Sequence, residues 1–408
     1  MMQKDKRKTN RKWTSTRHTV VRNILYAPLY AYARLVYRAS IGKYPDCDDG
    51  PCLILFNHQT AFDQFFVSLS FPKHVYYVSS EDLFSNGWVS RLLSWMVAPV
   101  PFRKSTSDIT AVKNCLQIAK EGGTIAMAPE GNRTYSGTTE HIKPSVASFA
   151  KALKLPIAIY RIEGGYGVHP RWSDTVRKGK MRCYFSRIIR PEEYQDMGKE
   201  ELFAVLEKEL YVDERTDSTW FHGKRNAEYL DRAMYYCPFC GLSVYESRED
   251  TVTCRKCRRQ IRYLPDKHLE GIGFDFPYSN VKDWYDAQNS FIRKLDLAPY
   301  ADTPVYSDTV CFIENLYCRK KVILDKSAVI DIYADRFIVT TKSEKVCYNF
   351  SDISSATVLG RNKLNLYIGN RIFQFKGDKH FNALKYLNLY CHATNLASGE
   401  AETGFLGL

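Results

Sequence analysis

Short apolar runs alternate with amphipathic stretches through the first half of this chain, and the alternation predicts a layered α/β fold. Residues 51–56 (Pro-Cys-Leu-Ile-Leu-Phe) and 124–128 (Thr-Ile-Ala-Met-Ala) are apolar runs of buried-strand type, as is 74–79. Residues 61–70, 82–96, 107–120 and 143–154 carry the spacing of helices, and 107–120 ends at Gly122-Gly123. Strands at 155–160 and 179–189 and a helix at 199–211 complete the set. Such alternation implies a largely parallel sheet flanked by helices.

Near residue 215 the pattern changes. A charged helix is expected over 224–236 and a second helix over 281–295. Beyond residue 320 short strands dominate, at 321–324, 329–333, 336–341, 345–350, 356–359, 364–367 and 371–375, followed by a helix at 378–392. Turns of the type Leu359-Gly360-Arg361-Asn362 separate the last three strands.

The candidate chemistry lies on two loops of the first region. Asn57-His58-Gln59-Thr60-Ala61-Phe62-Asp63 follows the first strand. His58 and Asp63 are five residues apart, about 140° out of phase on a regular helix, so they can touch only if His58 lies on the turn before the helix. Open α/β sheets keep their chemistry at such strand-to-helix turns. About seventy residues later, Pro129-Glu130-Gly131-Asn132-Arg133-Thr134 follows another strand. Exposed amides at Gly131 and the Arg133 guanidinium suit an anion, while Glu130 could pair with Arg133 or with a neighbouring base. Either loop alone could be an ordinary turn, and His58 alone a satisfied core histidine. Together they describe a base, its orienting carboxylate and an anion site.

The ordered pair resembles the glycerolipid acyltransferases, the lysophosphatidate acyltransferase family, whose hallmarks are Asn-His-x4-Asp and a later Glu-Gly-Thr-Arg box. Val100-Pro101-Phe102-Arg103-Lys104 and Leu155-Pro156-Ile157-Ala158-Ile159-Tyr160 resemble the family's second and fourth boxes. Asn132 departs from the usual Thr, and the second box lacks its leading Gly. The resemblance covers roughly residues 20–215. It implies that His58, oriented by Asp63, deprotonates the free hydroxyl of a lysophospholipid acceptor for attack on an acyl thioester, acyl-CoA or acyl-carrier protein. Arg103, Glu130, Gly131, Asn132, Arg133 and Pro156 would form the substrate site, with Lys104 a further candidate for the phosphate. No Gly-x-Ser-x-Gly elbow is present, and Cys52 and Cys115 lie in apolar settings typical of inert thiols.

Charge then adds a membrane. Of the net +13, residues 1–22 hold eight cations (Lys4, Lys6, Arg7, Lys8, Arg11, Lys12, Arg17, Arg22) against Asp5. The apolar segment 24–41 follows, interrupted by Arg34 and Arg38 and by Pro28, which breaks or starts its helix. Asn23, Ala27, Arg34 and Arg38 share one stripe, so an interfacial helix on an anionic membrane surface fits better than a transmembrane span. A helix packed on the enzyme's own core is the alternative. The expected location is the cytoplasmic face of a membrane, peripheral or monotopic.

The remaining signal is cysteine spacing. Cys237-Pro-Phe-Cys240 and Cys254-Arg-Lys-Cys257, with thirteen residues between the pairs, have the spacing of a zinc ribbon holding one structural Zn²⁺. Twelve cysteines in 408 residues do not make a secreted disulfide scaffold. Arg255, Lys256, Arg258, Arg259 and Arg262 beside the second pair fit a solvated knuckle next to a negatively charged metal site, and nucleic acid is not expected as a partner. The strand-rich end resembles a pleckstrin-homology-like domain, with Arg361, Lys363, Arg371 and Lys376 as candidates for an anionic surface. The fold expected is thus α/β: a glycerolipid-acyltransferase-like sheet flanked by helices, then a zinc ribbon and a mostly-β, pleckstrin-homology-like barrel with a C-terminal helix. The divisions expected are a basic arm and interfacial helix (1–45), an acyltransferase domain (46–215), a linker helix (216–235), the ribbon (236–265), a connector (266–300) and the last domain (301–395). A fragment ending near residue 215 is expected to keep some acyl transfer if it stays soluble. The rival functions are a non-catalytic lipid- or partner-binding scaffold and an acyltransferase for another lyso-lipid.

Overall fold

The computed structural model describes residues 12–45, 50–103, 108–215, 219–316, 319–401 and 404–407. Most of the basic arm and Lys104 lie outside them. Helix α1 (Thr16–Leu35) is capped by the Ser15 side chain. It begins earlier and ends earlier than the apolar segment suggests, and Pro28 sits inside it without ending it. Arg38 falls outside the helix with φ +53°, so the four-residue polar stripe does not form.

Seven strands then build one sheet: β1 (Ala39–Ile41), β2 (Leu53–Phe56), β3 (Val75–Ser80), β4 (Val100–Phe102), β5 (Thr124–Met127), β6 (Ile157–Glu163) and β7 (Met181–Ile189). Their order is β1-β7-β6-β2-β5-β3-β4. Every neighbouring pair is parallel except β6 and β7. The segment before residue 46 therefore contributes an edge strand as well as a helix. Leu53, Ile54, Leu55, Ile125, Ile157 and Ile159 are fully buried, as strands covered on both faces must be. Helices α2 (Asp63–Ser70), α3 (Trp88–Val97), α4 (Ile109–Lys120) and α5 (Ser145–Leu153) connect them. The helix expected over 82–96 is split: Glu81–Phe84 is a 3₁₀ turn, and Gly87, at φ +61°, separates it from α3.

The charged helix expected over 224–236 does not form. Only Leu230–Arg232 makes a 3₁₀ turn, preceded by Tyr229 at φ +70°. Leu230, Asp231, Arg232, Ala233, Met234 and Tyr235 are all buried, a run that leaves no polar face for an amphipathic helix. Six short strands follow: β8 (Tyr236–Cys237), β9 (Gly241–Leu242), β10 (Tyr245–Arg248), β11 (Thr251–Cys254), β12 (Gln260–Tyr263) and β13 (Leu269–Gly271). The helix Val281–Arg293, capped by Asn280, leads to the last region.

There a second seven-stranded sheet, wholly antiparallel, contains β14 (Tyr306–Leu316), β15 (Lys320–Ile332), β16 (Arg336–Thr340), β17 (Lys345–Asn349), β18 (Ile353–Leu359), β19 (Lys363–Ile368) and β20 (Arg371–Lys376). The order is β17-β16-β15-β14-β20-β19-β18, and the helix Ala383–Ser398 packs against β18 and β19. Two strands expected at 321–324 and 329–333 are one strand, β15. Its partner β14 was not anticipated.

The modules share their packing. Tyr135 and Trp172 of the first region belong to the same continuous core as Val252, Ile261, Phe312 and Phe375. The last sheet also grips the loop after β3: Tyr367 donates to Glu81, Lys321 pairs with Asp82 at 2.5 Å, and Gln374 donates to Asp82 at 3.2 Å.

Candidate functional site

His58 sits on the turn leaving β2, the central strand between β5 and β6, at the carboxyl end of the parallel strands. Its Nδ1 lies 2.8 Å from Oδ2 of Asp63. Asp63 opens helix α2 and is fully buried, while the His58 side chain is 24% exposed. The carboxylate also accepts the backbone N–H groups of Gln59 at 2.7 Å and Thr60 at 3.0 Å and the Thr60 hydroxyl at 2.6 Å. With these donors converging on it, the carboxylate acts as acceptor toward the ring, so Nδ1 carries the hydrogen and Nε2 keeps the lone pair.

The second loop is bolted to this turn. One Glu130 oxygen accepts the His58 N–H at 2.6 Å, the other accepts the Glu140 N–H at 2.7 Å, and the His58 carbonyl accepts from Thr134 N at 3.0 Å. Glu130 therefore holds the backbone beside the histidine, and neither Arg133 nor the imidazole is its partner. Burial pushes its carboxyl well above the ordinary value, with the charges of Glu140 and Asp63 adding and the two N–H bonds opposing. Gly131 turns the loop at φ +69°, where a side chain would be strained.

Arg133 is half-buried, and its Nη1 is buried with no hydrogen-bond partner. Burial and then the neighbouring charges of Arg171 and Arg361 lower its pKa to about 10, against the pull of Asp63. A guanidinium short of water and surrounded by like charge suits an anionic ligand. Asn132 faces Arg171, whose Nη2 donates to its side-chain oxygen at 3.4 Å.

Other expected residues stand apart. Arg103 follows β4, three strands along the sheet from β2, and its N–H donates to Asp108. Pro156 precedes β6 at the opposite end of the sheet, where its carbonyl accepts from Leu53 N. Of the four basic residues of the last sheet, Lys363 and Lys376 face each other as cross-strand partners, while the others point to separate acceptors. Lys363 pairs with Asp82 at 3.7 Å, Arg371 pairs with Glu314 at 2.7 Å, and Arg361 reaches Asp174 and His169 of the first region.

Several residues near the site carry no sequence signal that singled them out. Fully buried Arg171 donates to the carbonyls of Arg133 at 2.9 Å, Gly360 at 2.8 Å and Val358 at 3.1 Å, and stacks on Tyr135. It staples the Arg133 loop to the β18–β19 turn. His169 Nδ1 meets the Tyr37 hydroxyl at 2.9 Å, and Tyr37 stacks on Phe62 beside Asp63. The cluster His169-Pro170-Arg171-Trp172 was the one clue available, an unusual density of polar and aromatic groups in a loop.

The four cysteines Cys237, Cys240, Cys254 and Cys257 bring their sulfurs within 4.8 Å of one another. Cys237 and Cys257 are 3.8 Å apart. A tetrahedral ion with Zn–S bonds of about 2.3 Å sets its sulfurs about 3.8 Å apart, so this group fits one metal with no open position. A cavity of about 700 Å³ lies elsewhere, lined by Tyr235, Arg255, Asp308, Lys376, His380 and Lys385 among others, and neither His58 nor Arg133 borders it. Among the described residues no helix is long and apolar enough to cross a membrane.

The family model described as Acyltransferase matches residues 36–162. A 1-acyl-sn-glycerol-3-phosphate acyltransferase of Brassica napus, BAT2, chloroplastic, is 24% identical over 145 residues, 35% of this chain and 41% of its own length. The 1-acyl-sn-glycerol-3-phosphate acyltransferase of Bacillus subtilis is 21% identical over 139 residues, 34% of this chain and 66% of its own. This chain thus spans less than two thirds of these relatives. The crystal structure of the 1-acyl-sn-glycerophosphate acyltransferase PlsC from Thermotoga maritima is 18% identical with a TM-score of 0.38, covering 46% of this chain and 77% of that one. The stretch that carries His58, Asp63 and the Glu130–Arg133 loop is thus the part of the chain that matches the acyltransferase family.

Proposed function

We propose that this protein is an O-acyltransferase that moves a fatty acyl group from an acyl thioester to the free hydroxyl of a lysophosphatidate-like acceptor. The observation that carries this reading is the His58–Asp63 pair beside a loop whose Arg133 holds a buried, unpartnered guanidinium nitrogen. Nε2 of His58 takes the proton of the acceptor hydroxyl as its oxygen attacks the thioester carbonyl. The tetrahedral intermediate collapses, the C–S bond breaks, and the imidazolium returns the proton to the leaving thiolate. The thioester is acyl-CoA or acyl-carrier protein, and the acceptor phosphate rests on Arg133. The intact base and carboxylate favour an enzyme over a scaffold whose catalytic domain has decayed. Thiol release from a panel of acyl thioesters with detergent-solubilised lysophosphatidate tests the reading; no release with any donor would overturn it.

Arg133→Ala is expected to raise the acceptor KM about 10 to 150 fold, the loss of a charge-assisted contact of about 1.5–3 kcal/mol. The thioester KM should hardly move. Equal losses with phosphorylated and phosphate-free acceptors would remove Arg133 from the phosphate site.

The protein is proposed to work on a membrane face, where Ile24 and Leu35 of α1 and Trp88, Leu92 and Trp95 of α3 are exposed on two helices that pack together. Such side chains suit the headgroup boundary, and the basic arm suits anionic lipid. Trp88→Ala with Trp95→Ala should weaken binding to phosphatidylserine vesicles by roughly tenfold or more, since burying one such ring contributes about 1.5–3 kcal/mol. Unchanged co-sedimentation would place the membrane contact elsewhere. The four cysteines are proposed to hold one structural Zn²⁺, and the last sheet, with its strand order and closing helix, to be pleckstrin-homology-like.

A further inference from the structure

We infer that Arg361, carried by the β18–β19 turn of the C-terminal sheet, is a second cation for the acceptor phosphate and sets the preference for a phosphorylated acceptor. The inference rests on the acyltransferase reading and extends its site beyond residues 36–162.

Gly360, at φ +63°, lets the turn present Arg361 inward, and its carbonyl is held by Arg171. The same Arg171 holds the Arg133 carbonyl. One buried guanidinium therefore fixes both loops, and the arginines beside it are neighbours whose charges press on each other. Arg361 Nη2 donates to His169 Nε2 at 3.1 Å, and Nη1 pairs with Asp174 at 2.8 Å. An arginine only donates, so His169 Nε2 accepts and its Nδ1–H is turned to the Tyr37 hydroxyl. Burial, then the charges of Arg133, Arg361 and Arg177, pull the His169 pKa down to about 3, so the ring adds no cation of its own.

The charges in this corner do not cancel. Asp174 is shared between Arg361 and the buried Arg232, while Arg133 and Arg171 have no carboxylate among the hydrogen-bond partners described above. Only Arg361 and Arg232 pair directly with a carboxylate among the described contacts, while Asp63 and Glu140 act on Arg133 and Arg171 without a direct bond. An interface built only to dock two modules gains nothing from gathering four guanidinium groups in this way, since like charges at close range are costly. A phosphate monoester of charge near −2 offsets much of this excess, and two arginines can grip it from two sides. Arg361 is 30% exposed, so a ligand can reach it without displacing the turn.

The test uses the full chain in detergent micelles, with lysophosphatidate and the corresponding monoacylglycerol as acceptors. Arg361→Ala should raise the lysophosphatidate KM about 10 to 150 fold, leave the thioester KM unchanged and spare transfer to monoacylglycerol. Arg361→Lys should recover most of the loss. Arg361→Gln guards against a folding defect, because its amide can still donate to Asp174 while the charge is gone; it should show the same selective loss. A lysophosphatidate KM unmoved in Arg361→Gln, or an equal fall with both acceptors, overturns the inference while Arg133→Ala still discriminates. A wild-type protein that acylates neither acceptor sinks the acyltransferase reading, and this inference with it.

Discussion

His58→Ala should lower turnover by at least about 10² to 10⁴ fold while leaving the protein folded, because the imidazole is the proposed general base and none of the described groups bonded to this turn can replace Nε2. Asp63 donates nothing and points at the other ring nitrogen, and Glu130 is occupied by two backbone N–H groups. Loss of the His58 side chain leaves the turn held by the backbone bonds to Glu130 and Thr134. Asp63→Asn should differ in kind. It keeps the volume but turns one of the two accepting oxygens into a donor facing other donors, so turnover and stability should fall together. Single-turnover thiol release with circular dichroism on the same samples separates the two effects. Near wild-type turnover in His58→Ala would exclude the base mechanism.

Removing the proposed metal should cost more than one module. Structural Zn²⁺ in finger-like sites carries about 10–16 kcal/mol of apparent binding free energy, comparable with the whole stability of a domain at about 5–15 kcal/mol. Cys237→Ser, or a strong chelator, should therefore unfold residues 236–271. Their core is continuous with Tyr135 and Trp172, so acyl transfer should fall with them. The same continuity bears on a chain cut near residue 215, which the sequence alone suggests would stay active. The cut removes the Gly360 and Val358 carbonyls from buried Arg171 and bares Trp172, so an inactive or aggregating fragment is now expected. Elemental mass spectrometry should find one zinc per chain, and zinc-free native protein would overturn the assignment.

What the sequence conveyed and what it hid divide along contact distance. His58 and Asp63 meet within one turn, and the cysteine pairs meet across a short hairpin, so spacing sufficed for both. Glu130 needs the neighbouring strand before its two N–H partners appear, and a strand-end motif does not say which way a carboxylate turns. Strand β15 was split in expectation because its first half, Lys320 to Lys326, is mostly exposed or half-buried and lacks the alternation that burial imposes. The helix expected over 224–236 failed for the converse reason: Asp231 and Arg232 are buried between the modules, where Arg232 donates to the Lys379 carbonyl and pairs with Asp174 of the first region. Arg361 is legible only as one of four candidates for an anionic surface and Arg171 only as part of the His169–Trp172 cluster, since a surface arginine and a clamped one are spelled alike.

The staple between Arg171 and Gly360 joins residues 189 positions apart. During synthesis at about 5–20 residues per second, the Arg133 loop emerges some 10–40 s before the turn that braces it. For that interval the nascent chain carries a base and a carboxylate but an open anion corner, with Tyr135 and Trp172 unburied. The proposed anion corner is therefore completed only when the last sheet docks, and until then the order of translation leaves these buried aromatic rings without their partners.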